Sequence, residues 1–212
     1  MQKSGIDFLK NVNGVFIDDA AIIEEGVCIY PNCYIIGKCK IGKNSVIYSG
    51  TTIENSVIGE NCTVKSSFIE DSVVDNNVQI GPFAHLRPNS KISEGCKIGN
   101  FVEIKNATIG SGSKVSHLAY VGDADIGSDC NIGCGAIFVN YNGRNKNRTI
   151  VGDNCFIGSN CNIIAPVDIK RNTYICAGTT LTIDTKEDDF VIGRARETIK
   201  NNRAHNYLKE MK

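Results

Sequence analysis

Tryptophan is absent from these 212 residues, proline occurs only 4 times, and aromatic residues make up 7%. That composition is a poor match for a helical bundle packed on large rings. With 21 glycines it suits many short strands joined by tight turns. There is no surplus of either charge, at 23 basic and 23 acidic residues, so nothing points to nucleic acid or a membrane surface. No run reaches the eighteen or so apolar residues of a membrane span. Nor does an N-terminal segment combine a charged start, an apolar run and a small-residue cleavage site. A soluble, cytoplasmic protein without nucleic-acid or membrane partners is expected. At 42% apolar, the chain still has enough hydrophobic material for a core.

Ten cysteines raise the question of disulfides or zinc, yet no C-x-x-C pair occurs. A repeat accounts for them better. Aliphatic residues recur every six positions from Ile17 through Ile23, Ile29, Ile35, Ile41, Ile47 and Ile53. With occasional five-residue steps the series runs on to Phe138, lapses, and resumes from Val151 to Leu181. This period predicts an all-β hexapeptide parallel β-helix, in which each hexad is a short strand plus a corner and three hexads close a coil. Gly follows the aliphatic position at Gly42, Gly59, Gly99, Gly110 and Gly133, among others, where we expect a corner with unusual backbone angles. Alternation makes the fourth residue after the aliphatic one the second inward position. Cys33, Cys39, Cys62, Cys96, Cys130, Cys155 and Cys161 sit there and read as small reduced core residues.

The repeat divides the chain into a lead-in or short helix at 1–14, the β-helix at 15–183 and a C-terminal loop and tail at 184–212. The tail ends in RARETIKNNRAHNYLKEMK, read as a basic helix or tail. Residues 139–150 break the period with a Gly- and Asn-rich stretch that should project as a loop. Such loops on a rigid scaffold commonly carry function.

With three hexads per coil, residues three steps apart stack. Arg87 then lies beside Lys105, two like charges that an anion would bridge. His117 begins a line continued by Cys134, Ser159 and Ala177, provided the projecting loop uses up no wall of the coil. A smooth track ending at a histidine suits a thin pantetheine-like arm. Glu103 falls under Tyr120, where a carboxylate could hold the His117 ring.

The runs GPFAHLRPNS, NFVEIKN, GSKVSHLAYVGDADIG, NIGCG and VNYNGRNKN, with the later IAPV and AGTT, resemble the acetyltransferase half of the bacterial bifunctional uridyltransferase and glucosamine-1-phosphate acetyltransferase. The resemblance extends from about Val15 to the tail. It implies a left-handed helix and transfer of acetyl from acetyl-CoA to the amine of glucosamine 1-phosphate. The product would feed UDP-N-acetylglucosamine and cell-wall precursor synthesis. His117 matches the family's general base. Arg87, Lys105, Tyr120, Asn131 and Lys146 match its sugar-phosphate contacts; Cys134, Asn140, Tyr141, Ser159, Ala177 and Arg194 match positions lining acetyl-CoA. A homotrimer with sites between neighbours is implied as well, and no metal for acetyl transfer. Ala136 and Asn142 depart from the pattern, where members often have a hydroxyl residue and Asp. No G-x-G-T-R-M-like phosphate loop occurs, so uridyl transfer and its magnesium are not expected of this chain. Alternatives are an acetyltransferase for another phosphorylated or nucleotide-linked amino sugar, and a non-catalytic β-helix scaffold. A zinc-dependent helix of this type would need three His, and His85 and His205 give little reason to meet His117.

Overall fold

A computed structural model describes residues 7–8 and 14–206 as a left-handed parallel β-helix. Strands of two to four residues build three parallel sheets of 11, 10 and 9 strands, each pairing with the strand one coil away. The first face carries Lys97–Asn100 and Lys114–His117, the second Glu103–Lys105 and Tyr120–Gly122, the third Thr108–Ile109 and Ala124–Ile126. Register is set by the aliphatic column: Ile98 lies beside Val115, Val115 beside Ile132, and Ile104 beside Val121. A one-residue slip would turn the whole column outward.

The interior is narrow and filled by that column, with Ile35, Ile41, Ile53, Ile104 and Ile157 at 0% exposure. Truncating such an isoleucine to alanine costs about 2–5 kcal/mol. All seven cysteines at the second inward position are buried, and no disulfide links any of the ten. Several thiols bond to carbonyls of the next coil, as Cys96 Sγ does to Gly110 O at 3.0 Å.

The corner glycines are required for a reason other than the expected backbone angles. A Cβ on Gly42 would lie 2.6 Å from the backbone of Gly59, and one on Gly133 2.6 Å from Ser159 N. Close approach of coils, not a positive φ, excludes side chains there. The left-handed angle falls two residues later, and Asn or Asp usually takes it: Asn44, Asn61, Asn77, Asp129, Asn154, Asn160 and Asn172. These amides form ladders of their own, Asn154 Nδ2 donating to Asn172 Oδ1 at 3.0 Å and Asn172 Nδ2 to Asp188 Oδ1 at 2.9 Å.

Both ends differ from expectation. Asp7–Phe8 is a strand beside Cys28–Ile29 rather than a helix; the rest of residues 1–13 lies outside the described residues. At the other end the coil continues past residue 183, because Phe190–Val191 adds a strand to the first face. The predicted tail helix does not form over residues 192–203, and a single 3-10 turn follows at Ala204–Asn206. Ile199 is 81% exposed, so the segment has no apolar face to bury, and isolated short helices are marginal in water without one. Residues 207–212 lie outside the described residues. Among the described residues no helix is long and apolar enough to cross a membrane.

Candidate active site

His117 stands exposed at the corner between the first and second faces. Its neighbour one coil below is Asn100, in direct register. The two side chains meet, His117 Nδ1 to Asn100 Oδ1 at 2.6 Å. An amide oxygen only accepts, so Nδ1 is the donor in this bond, and in the neutral ring that tautomer leaves the lone pair on Nε2. Glu103, expected to hold this ring, is engaged elsewhere: Arg87 Nη1 donates to Glu103 Oε1 at 2.7 Å. Glu103 does lie beside Tyr120 as the coil arithmetic required. It faces outward on the second face, however, where Arg87 reaches it first. Asn100 was missed, although the same arithmetic counted downward from His117 finds it.

Three cations gather at the far edge of the second face. Arg87 N donates to Ile104 O, which sets Arg87 one coil from Lys105. Lys146 arrives from the projecting loop, and its charge, followed by that of Arg87, holds the Lys105 ammonium below the usual lysine range. Asp123 opposes this only weakly. The Arg87 guanidinium is held more firmly protonated by Glu103. Such a cluster of like charges on a rigid corner is what an anion neutralises.

The loop is itself organised. Tyr141 and Lys146 form an antiparallel bridge, and Asn142 Oδ1 accepts from the backbone of Arg144 at 3.0 Å and Asn145 at 2.8 Å. Asn142 therefore serves as the turn's own cap. Arg148 pins the return limb, donating to Asp125 through Nε and Nη2 and to Asn106 O at 3.0 Å. Below the loop, buried Asp123 accepts from Asn106 and from Asn140, and Asn140 also reaches Tyr120 Oη at 3.4 Å. Neither Asp123 nor Arg148 was singled out by motif. Only their partners across the loop insertion reveal them. Ala136, the other departure, is fully buried.

The expected track exists. Gly135 N bonds to Leu118 O, Asn160 N to Cys134 O and Gly178 N to Ser159 O, so the corner rises unbroken past the loop. At its top a depression is lined by Ser159, Tyr174, Ala177 and Arg194, with Arg194 Nη1 donating to Ala177 O at 3.0 Å. Asn140 and Tyr141 do not join it. Asn140 is buried beside Tyr120 and Asp123, and Tyr141 is exposed on the loop. Asn131 lies on the first face in register with Lys114, not on the second face that carries Lys105. Beside His117, Phe83, Phe101 and Leu118 take the left-handed corner angle and make an exposed apolar ridge, the two rings stacked at 5.5 Å.

Comparison with known proteins agrees with this architecture. Bacterial transferase hexapeptide repeats match residues 20–55 and 148–182, and the family described as GMPPB C-terminal domain matches residues 68–142. The chain is 47% identical to the bifunctional protein GlmU of Clostridium novyi over 92% of its own length and 42% of that protein's. Against bifunctional GlmU of Caldicellulosiruptor saccharolyticus the identity is 50%, over 90% of this chain and 41% of the relative. The chain carries the hexapeptide repeat and is similar to GlmU over most of its own length. It spans less than half the length of these GlmU relatives. The Arabidopsis UDP-N-acetylglucosamine acyltransferase shares the fold, with a TM-score of 0.60 at 20% identity over 82% of this chain and 68% of that one.

Proposed function

We propose that the chain moves acetyl from acetyl-CoA to the amine of glucosamine 1-phosphate, with His117 as general base. The observation that carries this reading is the second face itself: a histidine oriented by Asn100 at one edge and three clustered cations at the other. In glucosamine 1-phosphate the phosphate and the amine sit on neighbouring ring carbons, so long cationic side chains would hold the phosphate over the face with the amine turned toward His117. Arg87, Lys105 and Lys146 bind the phosphate, and Tyr120 lies between the two edges. Holding the sugar by its phosphate beside the base turns a chance encounter into a fixed approach. As the amine nitrogen attacks the thioester carbonyl, His117 Nε2 takes its proton; the C–S bond then breaks and the CoA sulfur leaves, protonated in turn. A base of this kind is worth about 10²–10⁴-fold.

The separation of Asn140 and Tyr141 from the Cys134–Ser159–Ala177 track supports a homotrimer. Donor contacts that lie on two corners of one chain would be reunited when one copy's loop meets a neighbour's track. The test is CoA thiol release from acetyl-CoA with glucosamine 1-phosphate, glucosamine 6-phosphate and UDP-linked amino sugars in parallel. Fast release with glucosamine 1-phosphate alone supports the reading. Release only with another amino sugar moves the substrate, and release with none leaves a scaffold.

A further inference from the structure

On the first face, above Asn131, three rings stand in one column: Phe156, Tyr174 and Phe190. Phe156 and Tyr174 stack at 4.6 Å and 10°, Tyr174 and Phe190 at 5.1 Å and 17°. Ring pairs across strands add to sheet stability wherever they occur, but the fold does not demand them here. One and two coils lower, the same column carries Asn131 and Lys114. The rings are confined to the coils that flank the depression at the top of the track, and Tyr174 is one of its walls.

The ladder is also open at one end. Phe190 is 65% exposed, and no described strand follows it on this face. Stacking covers its inner side with Tyr174 and leaves its outer side for one more flat ring. Arg194 belongs to the same coil and projects over the depression, its guanidinium anchored on Ala177 O. Ring face and cation are therefore paired at the end of the track opposite His117. From the His117 coil to the Phe190 coil there are four steps of about 4.8 Å, roughly 19 Å, which matches an extended pantetheine arm.

We infer that the Phe156–Tyr174–Phe190 ladder seats the nucleotide of the acyl donor, the adenine of coenzyme A stacking on the outer face of Phe190 with Arg194 toward its phosphates. The inference rests on the acetyl-CoA reading above and extends it to residues the family pattern did not supply. A flat purine on an exposed phenyl ring gains dispersion and loses little rotamer freedom.

The test is isothermal titration calorimetry of the full chain with CoA and with 4′-phosphopantetheine, which has the same arm without the adenosine. The parent is expected to bind CoA more tightly. Phe190→Leu should weaken CoA by about 10-fold, the usual worth of one base stacked on an aromatic side chain, and leave phosphopantetheine unchanged. Phe190→Tyr, which keeps a flat ring, should retain the parent's affinity. Thermal unfolding of each variant checks that the last coil remains folded, and Tyr174→Leu provides a second break in the ladder. Equal loss for both ligands, or loss for neither, overturns the ladder's role and leaves the donor reading intact. A parent that binds neither ligand overturns both.

Discussion

Replacing Asn100 separates the orientation of His117 from its chemistry. The bond from His117 Nδ1 to Asn100 Oδ1 is short, 2.6 Å, but the histidine is exposed. A neutral hydrogen bond of this kind contributes about 0.5–1.5 kcal/mol net. Asn100→Ala frees the ring to rotate and to exchange tautomers, so kcat should fall by about 2- to 13-fold. His117→Ala removes the base itself and should cost about 10²–10⁴-fold. Asn100→Asp is the sharper variant. A carboxylate in place of the amide favours the imidazolium, and each pKa unit corresponds to about 1.4 kcal/mol of such preference. The acid limb of the kcat/KM profile should therefore move to higher pH by up to about one unit, less whatever water screens at an exposed site. The assay is thiol release against pH for the parent and the three variants. Asn100→Ala as inactive as His117→Ala, or an acid limb that Asn100→Asp leaves in place, would refute the positioning role.

Lys105→Met and Lys146→Met should each raise KM for the sugar phosphate about 10- to 100-fold with a smaller change in kcat, the loss expected of one charge-assisted bond; equal loss in both constants would argue against phosphate binding. The Asp125 carboxyl is held below its ordinary range chiefly by Arg148, so the pair's stabilisation is present above the ordinary carboxylate range and is lost as pH falls through the lowered folded value. Both side chains are largely exposed, so that stabilisation is at most about 1 kcal/mol. Arg148→Gln should flatten the acid side of a stability-against-pH curve and loosen the loop, seen as faster amide exchange at residues 141–147. Leu118 sits at φ 46°, an angle that costs an ordinary side chain about 1–2 kcal/mol. Leu118→Asn should raise the melting temperature by a few degrees, and a drop would show that the apolar ridge outweighs the strain. Gly133→Ala should lower it, since its Cβ meets Ser159 N at 2.6 Å and overpacking costs about 1–3 kcal/mol.

The fold was legible because its register repeats at one residue in six. Ile98, Val115 and Ile132 announce both the strand and its neighbours, and the buried cysteines follow from alternation alone. The track from His117 to Ala177 was legible for the same reason, once residues 139–150 were treated as an insertion. Side-chain pairing was not. Column arithmetic gives neighbours but not which of two outward residues turns toward which, so Glu103 was matched to His117 when it bonds Arg87. Asn140 shows the other limit. The family pattern assigns it to the donor, and column arithmetic does not show that within one chain the backbone turns there and its amide donates to Asp123. Over residues 192–203 the tail forms no helix, because residues of good helix propensity are marginal as a helix with nothing to bury against.

The most direct measurement of the central claim is the identity of the product. Acetyl-CoA and glucosamine 1-phosphate are incubated with the chain and the sugar phosphate is examined by mass spectrometry and NMR. The account predicts N-acetylglucosamine 1-phosphate, formed rapidly by the parent and about 10²–10⁴-fold more slowly by His117→Ala. No acetylated sugar from the parent, or equal rates from both proteins, would contradict it.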